Sequence, residues 1–336
     1  MRLLLCGLGS MAAVALVRSQ ARRRSILDHP NARSAHERPT PRLGGIGIIV
    51  VFLGSALGLG SSAVAGALPV LVGTGVVSIL GLVDDLRPLP ARVRFGVQAL
   101  AATGVVAARW EALGSAVATV SLPSWLLGPA FVLWVVWMTN LYNFMDGIDG
   151  LAAGQTILAC LGLAAWMAGA GSGNPVLLLL LATASAGFLL FNFPPATIFM
   201  GDVGSTAIGF FLATVPLLPA SRPVPLEAVW VAVGLFILDA TTTLVRRLRN
   251  GERWYEAHRS HWYQRPLRHG FAHRTITLWA YAGMLLLALA SAALAQVGPA
   301  LHALLLAAPA IVFLPAVLAV RRVEGSPDPA PLRERP

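Results

Sequence analysis

Trp125-Leu-Leu-Gly-Pro-Ala-Phe-Val-Leu-Trp-Val-Val-Trp-Met138 is followed, after Thr139, by Asn140-Leu-Tyr-Asn-Phe-Met-Asp-Gly-Ile-Asp-Gly150. The first stretch is apolar and long enough to approach a membrane span. The second is polar and ends in two aspartates three residues apart, Asp146 and Asp149, each followed by glycine. Residues at that spacing share one face of a helix or helix start, so both carboxylates are expected to point at one target. The glycines let a backbone or a phosphate approach closely. Two carboxylates at a membrane surface suit a hard divalent cation and, through it, phosphate. A polar loop that merely caps a helix would read the same way locally, so the rest of the chain has to decide.

The composition favours the membrane reading. Hydrophobic residues make up 56% of the chain and charged residues 12%, with a mean hydropathy of +0.71. Soluble globular domains carry about twice that charge. The net charge is +10 and every basic residue is arginine. Those arginines cluster in short loops between apolar runs, a placement that the positive-inside rule explains without nucleic acid. Cys6 and Cys160 both lie in apolar segments, so neither a disulfide framework nor a cysteine metal site is expected.

Near-spanning apolar runs recur at 2–18, 43–60, 67–83, 93–108, 126–141, 152–170, 174–191, 205–219, 226–244, 275–295 and 299–319. The expectation is an all-α polytopic integral membrane protein with about eleven transmembrane helices. Arg18, Arg22, Arg23 and Arg24 follow the first run; such a cluster resists translocation, so the first run reads as an uncleaved helix and not a signal peptide. Arginine-rich loops alternate with plain ones along the chain. That places the N-terminus outside and residues 18–42, 84–94, 140–150, 192–205, 246–274 and the tail on the cytoplasmic face. The same face therefore holds Asp84, Asp85, Asp146, Asp149, Asp202, His258 and His261, although none of these was used to assign it. Residues 1–320 read as one transmembrane domain and 321–336, rich in Pro, Arg and Glu, as a disordered cytoplasmic tail. Residues 115–122 could form a small outer hairpin or surface strand.

Four further stretches carry chemistry. Asp84-Asp85 ends an apolar span, where adjacent carboxylates repel unless a cation or a proton compensates. They read either as a helix-end cluster paired with Arg87 and Arg92, or as a metal ligand plus a general base. Asn192-Phe-Pro-Pro-Ala-Thr-Ile-Phe-Met-Gly-Asp-Val-Gly-Ser205 places a glycine-flanked Asp202 before a helix N-terminus, where carboxylate and backbone N–H groups can serve a metal and an anion. Phe199 could stack on a base. In 246–274, His258-Arg259-Ser260-His261 gathers diphosphate donors, whereas His269 and His273 read as part of a positive-inside loop. In 28–45, Arg33, His36 and Arg42 could add phosphate or sugar contacts. Asp239 lies inside the ninth span and is either functional or a structural hydrogen-bonding residue.

In order, Arg38-Pro-Thr-Pro-Arg-Leu-Gly-Gly45, Asp84-Asp85, 140–150, 192–205 and 258–261 resemble the motifs of the polyprenyl-phosphate N-acetylhexosamine-1-phosphate transferases, glycosyltransferase family 4. The resemblance covers residues 28 to about 275. It implies transfer of a sugar 1-phosphate from a UDP-N-acetylhexosamine to undecaprenyl phosphate, giving undecaprenyl-diphospho-sugar and UMP, with Mg²⁺ (or Mn²⁺). By the same resemblance Asp84, Asp85, Asp146 and Asp149 are catalytic, and Asp202, Asp146, Asp149 and Asn143 hold the metal. Asn143, Asn192, Phe199, His258, Arg259, His261, Arg42 and Arg94 would contact substrate. The partners implied are the two substrates and membrane lipids, with homodimerisation admitted and nucleic acid excluded, in the bacterial inner membrane.

The chain departs from the translocase branch, which has a lysine soon after its Asp pair; Arg94 is the substitute here. Tyr255-Glu-Ala-His-Arg-Ser-His-Trp-Tyr-Gln264 looks more like the branch that initiates O-antigen or other envelope glycans, lipopolysaccharide among them. A transporter of anionic lipid-linked or nucleotide compounds would instead put charges at mid-membrane and repeat its halves. An intramembrane aspartyl protease would need a second buried Asp beside Asp239. Neither pattern is present.

Overall fold

The computed structural model describes residues 1–30, 38–60, 64–117, 123–252 and 260–325. Among them the helices are α1 (Arg2–Arg23), α2 (Gly45–Leu57), α3 (Leu68–Leu86), α4 (Ala91–Ala108), α5 (Trp110–Ala116), α6 (Ser124–Phe144), α7 (Leu151–Gly169), α8 (Val176–Asn192), α9 (Asp202–Thr214), α10 (Leu226–Ala232), α11 (Gly234–Arg249), α12 (His273–Ala293) and α13 (Pro299–Gly325). Leu27–Asp28 and Thr40–Pro41 pair as a two-residue antiparallel ladder. The all-α polytopic expectation holds. By length and apolarity six helices can cross a membrane, or seven if the bent pair α10–α11 counts as one. The helices α2, α8 and α9 are apolar but shorter, and α4 carries Arg92 and Arg94 in its first turn. Helix replaces the outer hairpin at its start, since α5 includes Ser115 and Ala116; residues 118–122 lie outside the described set. Residues 321–325, assigned to the tail from sequence, continue α13, which runs to Gly325; 326–336 lie outside the described residues.

α9 is the hub. Every residue from Val203 to Thr214 is buried, and α3, α6 and α2 pack around it. Its neighbours approach at backbone distance through glycines, as membrane helices do when small residues line the seam. A Cβ on Gly81 of α3 would collide with the Asp202 carbonyl, and one on Gly45 with the Gly204 backbone. Gly81→Ala is therefore expected to cost about 1–3 kcal/mol by forcing α3 away from the start of α9. Thermal unfolding in detergent checks this against Gly96→Ala, where a Cβ meets open space.

The 80° bend between α10 and α11 frees carbonyls that lipid cannot satisfy, so side chains must. Gln155 Nε2 donates to the Ala232 carbonyl at 2.9 Å and Ser291 Oγ to Ala228 at 2.8 Å. On the outward faces large apolar residues stay exposed, among them Leu100, Leu133 and Leu190. Such a girdle would aggregate in water and belongs against lipid.

Candidate active site

The segment before α2, the end of α3 and the α6–α7 and α8–α9 loops gather at one end of the bundle, around the N-terminus of α9. Gly201 precedes α9 with φ +76°, a left-handed conformation that favours glycine. The loop before α2 lies across this turn: Phe199 N donates to the Pro41 carbonyl at 2.8 Å, Gly44 N to Phe199 at 2.9 Å and Gly45 N to Met200 at 2.8 Å. That stitching, with Leu43 held at φ +79°, brings Arg42 within electrostatic reach of Asp85.

The two adjacent aspartates divide their work. Asp85 is buried and its Oδ2 accepts from Val203 N at 3.0 Å. It caps α9 from a neighbouring helix, where the helix dipole favours a carboxylate. Asp84 accepts from Leu89 N at 2.6 Å and from Arg94 Nη1 at 2.9 Å. Its partner is thus Arg94, at the start of α4, where Arg87 and Arg92 were expected. Arg94 also reaches Asp202 Oδ2 at 3.9 Å, and Asp84 stands within hydrogen-bonding reach of Asp202. Asp84, Arg94, Gln98, Asn140, Asn143 and Asp202 line a cavity of about 10 Å³, room for one water-sized group.

The motif 140–150 is only partly as expected. Asn140 and Asn143 belong to α6, which ends at Phe144. Asn140 Nδ2 donates to Gln98 Oε1 at 2.6 Å, and Asn143 Oδ1 accepts from Ser205 Oγ at 2.9 Å. Asp146 and Asp149 do not share a helical face, because residues 145–150 form a turn that closes at left-handed Gly150, φ +77°. Asp146 faces the cluster. Burial, together with the carboxylates of Asp202, Asp85 and Asp149, pushes its carboxyl well above the usual carboxylate range. Asp149 points elsewhere: its Oδ2 accepts from Ala196 N at 2.8 Å and its Oδ1 meets His273 Nδ1 at 3.3 Å. Asn192 is buried, accepting from Gly150 N at 3.0 Å and donating to Ile198 O at 3.0 Å. Asp149 and Asn192 therefore tie the 145–150 and 192–199 loops together, and their polar atoms are spent on the protein where substrate and metal contacts were expected.

The raised carboxyl of Asp146 has a measurable consequence. The native state keeps a proton that the unfolded chain gives up, so this group favours folding at low pH. That contribution is lost as pH rises from the ordinary carboxylate range through the raised native value. In EDTA, Asp146→Asn is expected to flatten the fall of the thermal midpoint with rising pH and to raise the midpoint at neutral pH.

The loop after α11 is held by a residue that the sequence left undecided. Asp239 accepts from Thr243 Oγ1 at 3.2 Å, Trp262 N at 3.1 Å and Tyr263 N at 2.9 Å, and its Oδ1 meets His261 Nδ1 at 2.9 Å. His261 is buried and stacked on Tyr263, so it anchors this loop; the expectation was a diphosphate donor. Tyr263 OH donates to the Phe144 carbonyl at 3.1 Å, which docks the loop on the turn carrying Asp146. His258 and Arg259, like Arg33 and His36, lie outside the described residues. Phe199 is half-buried beside this surface. His273 read from sequence as part of a positive-inside loop, and Tyr263 and Ser205 carried no reading of their own; each acts across a long separation that no local pattern marks.

Among the described residues no three His, Cys, Asp or Glu side chains stand close enough to chelate a metal ion. The oxygen-only donor set still fits Mg²⁺, which commonly takes one or two protein carboxylates and completes its shell with water and substrate phosphates. Four carboxylates crowd here, and the cations facing them are Arg94 and Arg42. Asp202 and Asp146 are the residues suited to hold such an ion.

The family model described as glycosyl transferase family 4 matches residues 67–219. A probable undecaprenyl-phosphate N-acetylglucosaminyl 1-phosphate transferase of Bacillus subtilis is 32% identical over 270 residues, 76% of this chain and 73% of the relative. A decaprenyl-phosphate N-acetylglucosaminephosphotransferase of Mycobacterium tuberculosis is 33% identical over 305 residues, covering 79% and 74%. An undecaprenyl-phosphate alpha-N-acetylglucosaminyl 1-phosphate transferase of Escherichia coli K12 is 28% identical over 297 residues, covering 84% and 78%. The matched family segment contains α3, α6 and α9, the helices that carry the carboxylate cluster, and with relatives this similar over most of both chains the protein belongs to glycosyl transferase family 4.

Proposed function

We propose that the protein transfers an N-acetylhexosamine 1-phosphate from a UDP-sugar to undecaprenyl phosphate, releasing UMP and opening synthesis of an envelope glycan such as O-antigen. The observation that carries this is the convergence of Asp84, Asp85, Asp146 and Asp202 with Arg94 and Arg42 at one end of an apolar bundle. The relatives' names make N-acetylglucosamine the first sugar to test.

In this reaction an oxygen of the lipid phosphate bonds to the sugar-bearing phosphorus, and the bond from that phosphorus to the UMP oxygen breaks. A phosphate monoester, with a second pKa of about 6, is mostly dianionic at neutral pH. A general base therefore has little to remove, and Asp84, fixed by Leu89 N and Arg94, orients the groups around it. What the step needs is charge neutralisation. The Nε–H groups of Arg42 and Arg94 are buried without hydrogen-bond partners and supply donors for phosphate oxygens. The N-terminus of α9 adds a positive dipole end. Asp202 and Asp146 are the residues that would hold Mg²⁺, which when bound would supply charge neutralisation for phosphate. His258 and Arg259 are further candidates for the nucleotide diphosphate.

The proposal includes eleven passes with the site facing the cytoplasm of a bacterial inner membrane and the N-terminus outside. It is supported by the ends that meet: residues 44–45, 85, 149–150, 192–203, 261 and 273 contact one another or a common neighbour at this end. The chain leaves and returns between 45 and 85, 85 and 149, 150 and 192, and 203 and 261, which makes four helical hairpins besides α1, and α12–α13 makes a fifth by bringing Glu324 back to Arg265. Arg18, which donates to Thr197 Oγ1 at 2.9 Å, and Arg94 lie at the same end.

Purified protein with undecaprenyl phosphate, Mg²⁺ and a panel of UDP-N-acetylhexosamines tests the activity by UMP release and lipid product. UMP from one sugar, lost on chelation, is expected. Folded protein that releases no UMP from any sugar, yet moves a labelled lipid-linked compound across vesicles, would return the transporter reading.

A further inference from the structure

A second basic locus lies on the far side of the 260–264 loop. Trp262, tied to Thr242 Oγ1 through its Nε1 at 3.1 Å, has three guanidinium groups over its ring. Arg265 stands at 4.3 Å from the centroid, Arg246 at 5.2 Å and Arg321 at 5.6 Å. They come from three places, the end of α11, the 3-10 turn Arg265–His269 and the end of α13. The acidic groups nearby are already engaged. Glu324 pairs with Arg265 at 2.7 Å, Glu252 with Arg247 at 2.8 Å and Asp239 with His261 and the loop backbone. Among the described residues, Glu324 is the carboxylate that pairs with these three arginines. Arg246 donates to the Ser260 carbonyl through Nη2, and its Nη1 is buried without a hydrogen-bond partner. A buried, unsatisfied charged donor is costly, and its natural partner is an anion.

The same indole forms a wall of an apolar cavity of about 280 Å³ between α11, α12 and α13, lined also by Leu235, Trp279, Val312, Phe313 and Ala316. Trp279 is 63% exposed, so the cavity borders the outward, lipid-facing surface. Basic pockets between transmembrane helices with an apolar slot beside them suit anionic lipids. The charged groups that act on Arg246 are Arg265, Asp239, Glu252 and Glu324, none of them in the catalytic cluster. A phosphate held here is therefore not the reacting one.

We propose that Arg246, Arg265 and Arg321 with the adjoining cavity bind an anionic glycerophospholipid, its phosphate over Trp262 and one acyl chain between α11, α12 and α13. The lipid would join the end of α13 to the loop that Asp239 anchors.

The test uses the full chain in nanodiscs of phosphatidylcholine with or without phosphatidylglycerol, read by native mass spectrometry of retained lipid and by thermal midpoint. Selective retention of phosphatidylglycerol with a raised midpoint is expected. Arg321→Gln, on an exposed helix end, should lower retention about five-fold, and the Arg265→Gln/Arg321→Gln pair by roughly the square of that. Ala316→Phe fills the cavity without changing charge and should also expel the lipid. Equal retention of both phospholipids, or unchanged retention in both kinds of variant, would overturn the proposal. So would inorganic phosphate giving the same stabilisation, or undecaprenyl phosphate displacing phosphatidylglycerol from these arginines.

Discussion

Asp202→Asn is expected to lower UMP release by about 10²–10³-fold, the scale seen when one preorganised electrostatic contact is removed from a reacting centre. The thermal midpoint should stay within a few degrees. Asp202 sits where α9 begins, beside Asp84 and Asp85 and 3.9 Å from Arg94. Two terms oppose each other in stability. Losing a carboxylate from the first helical turn costs about 0.3–1 kcal/mol through the helix dipole. Removing one of four crowded carboxylates relieves repulsion of similar size. The fold therefore tolerates the change while the charge pattern offered to phosphate and cation is broken. Measuring UMP release beside thermal unfolding separates the two effects. Near wild-type turnover in a folded Asp202→Asn protein would remove Asp202 from the chemistry.

Asp239→Ala is expected to cost roughly 3–5 kcal/mol, since several buried donors lose their acceptor at about 1–3 kcal/mol each. The carboxylate holds Thr243, His261, Trp262 N and Tyr263 N at once, and alanine leaves these buried groups unsatisfied. The loss should spread. Tyr263 would let go of the Phe144 carbonyl, and the turn carrying Asp146 would loosen with it. Hydrogen exchange should therefore speed up at 260–264 and at 144–150 together, and activity should fall even though Asp239 touches no catalytic carboxylate. Asp239→Asn keeps the shape and two acceptor directions and should fall between. An unchanged thermal midpoint for Asp239→Ala would show that the loop is held by other contacts.

Several readings of the sequence depended on short-range geometry that the fold then changed. Asp146 and Asp149 are three apart, but left-handed Gly150 closes a turn between α6 and α7, and the two carboxylates part company. Asn192 and His261 carry chemistry that suits substrate, yet both are buried and engaged by protein partners. The Asp84-Asp85 pair was legible as a cluster. Its division into an arginine-paired carboxylate and a cap for α9 was not, because the second partner, Val203 N, is 118 residues away.

By itself the sequence determined the solvent and which carboxylate motifs share a face. Apolar runs of spanning length dictate helices, since an unsatisfied backbone is too costly in lipid. The arginine pattern then sorts the carboxylate motifs onto one face. It also carried the family, because the motifs are local and ordered. Only the tertiary structure decided which of those residues face the reaction and which hold the loops. That choice rests on where α9 begins and on what packs around it: glycines at positions 45 and 81 let neighbouring backbones reach its first turn. Contacts made across a hundred residues leave no periodic trace in either segment.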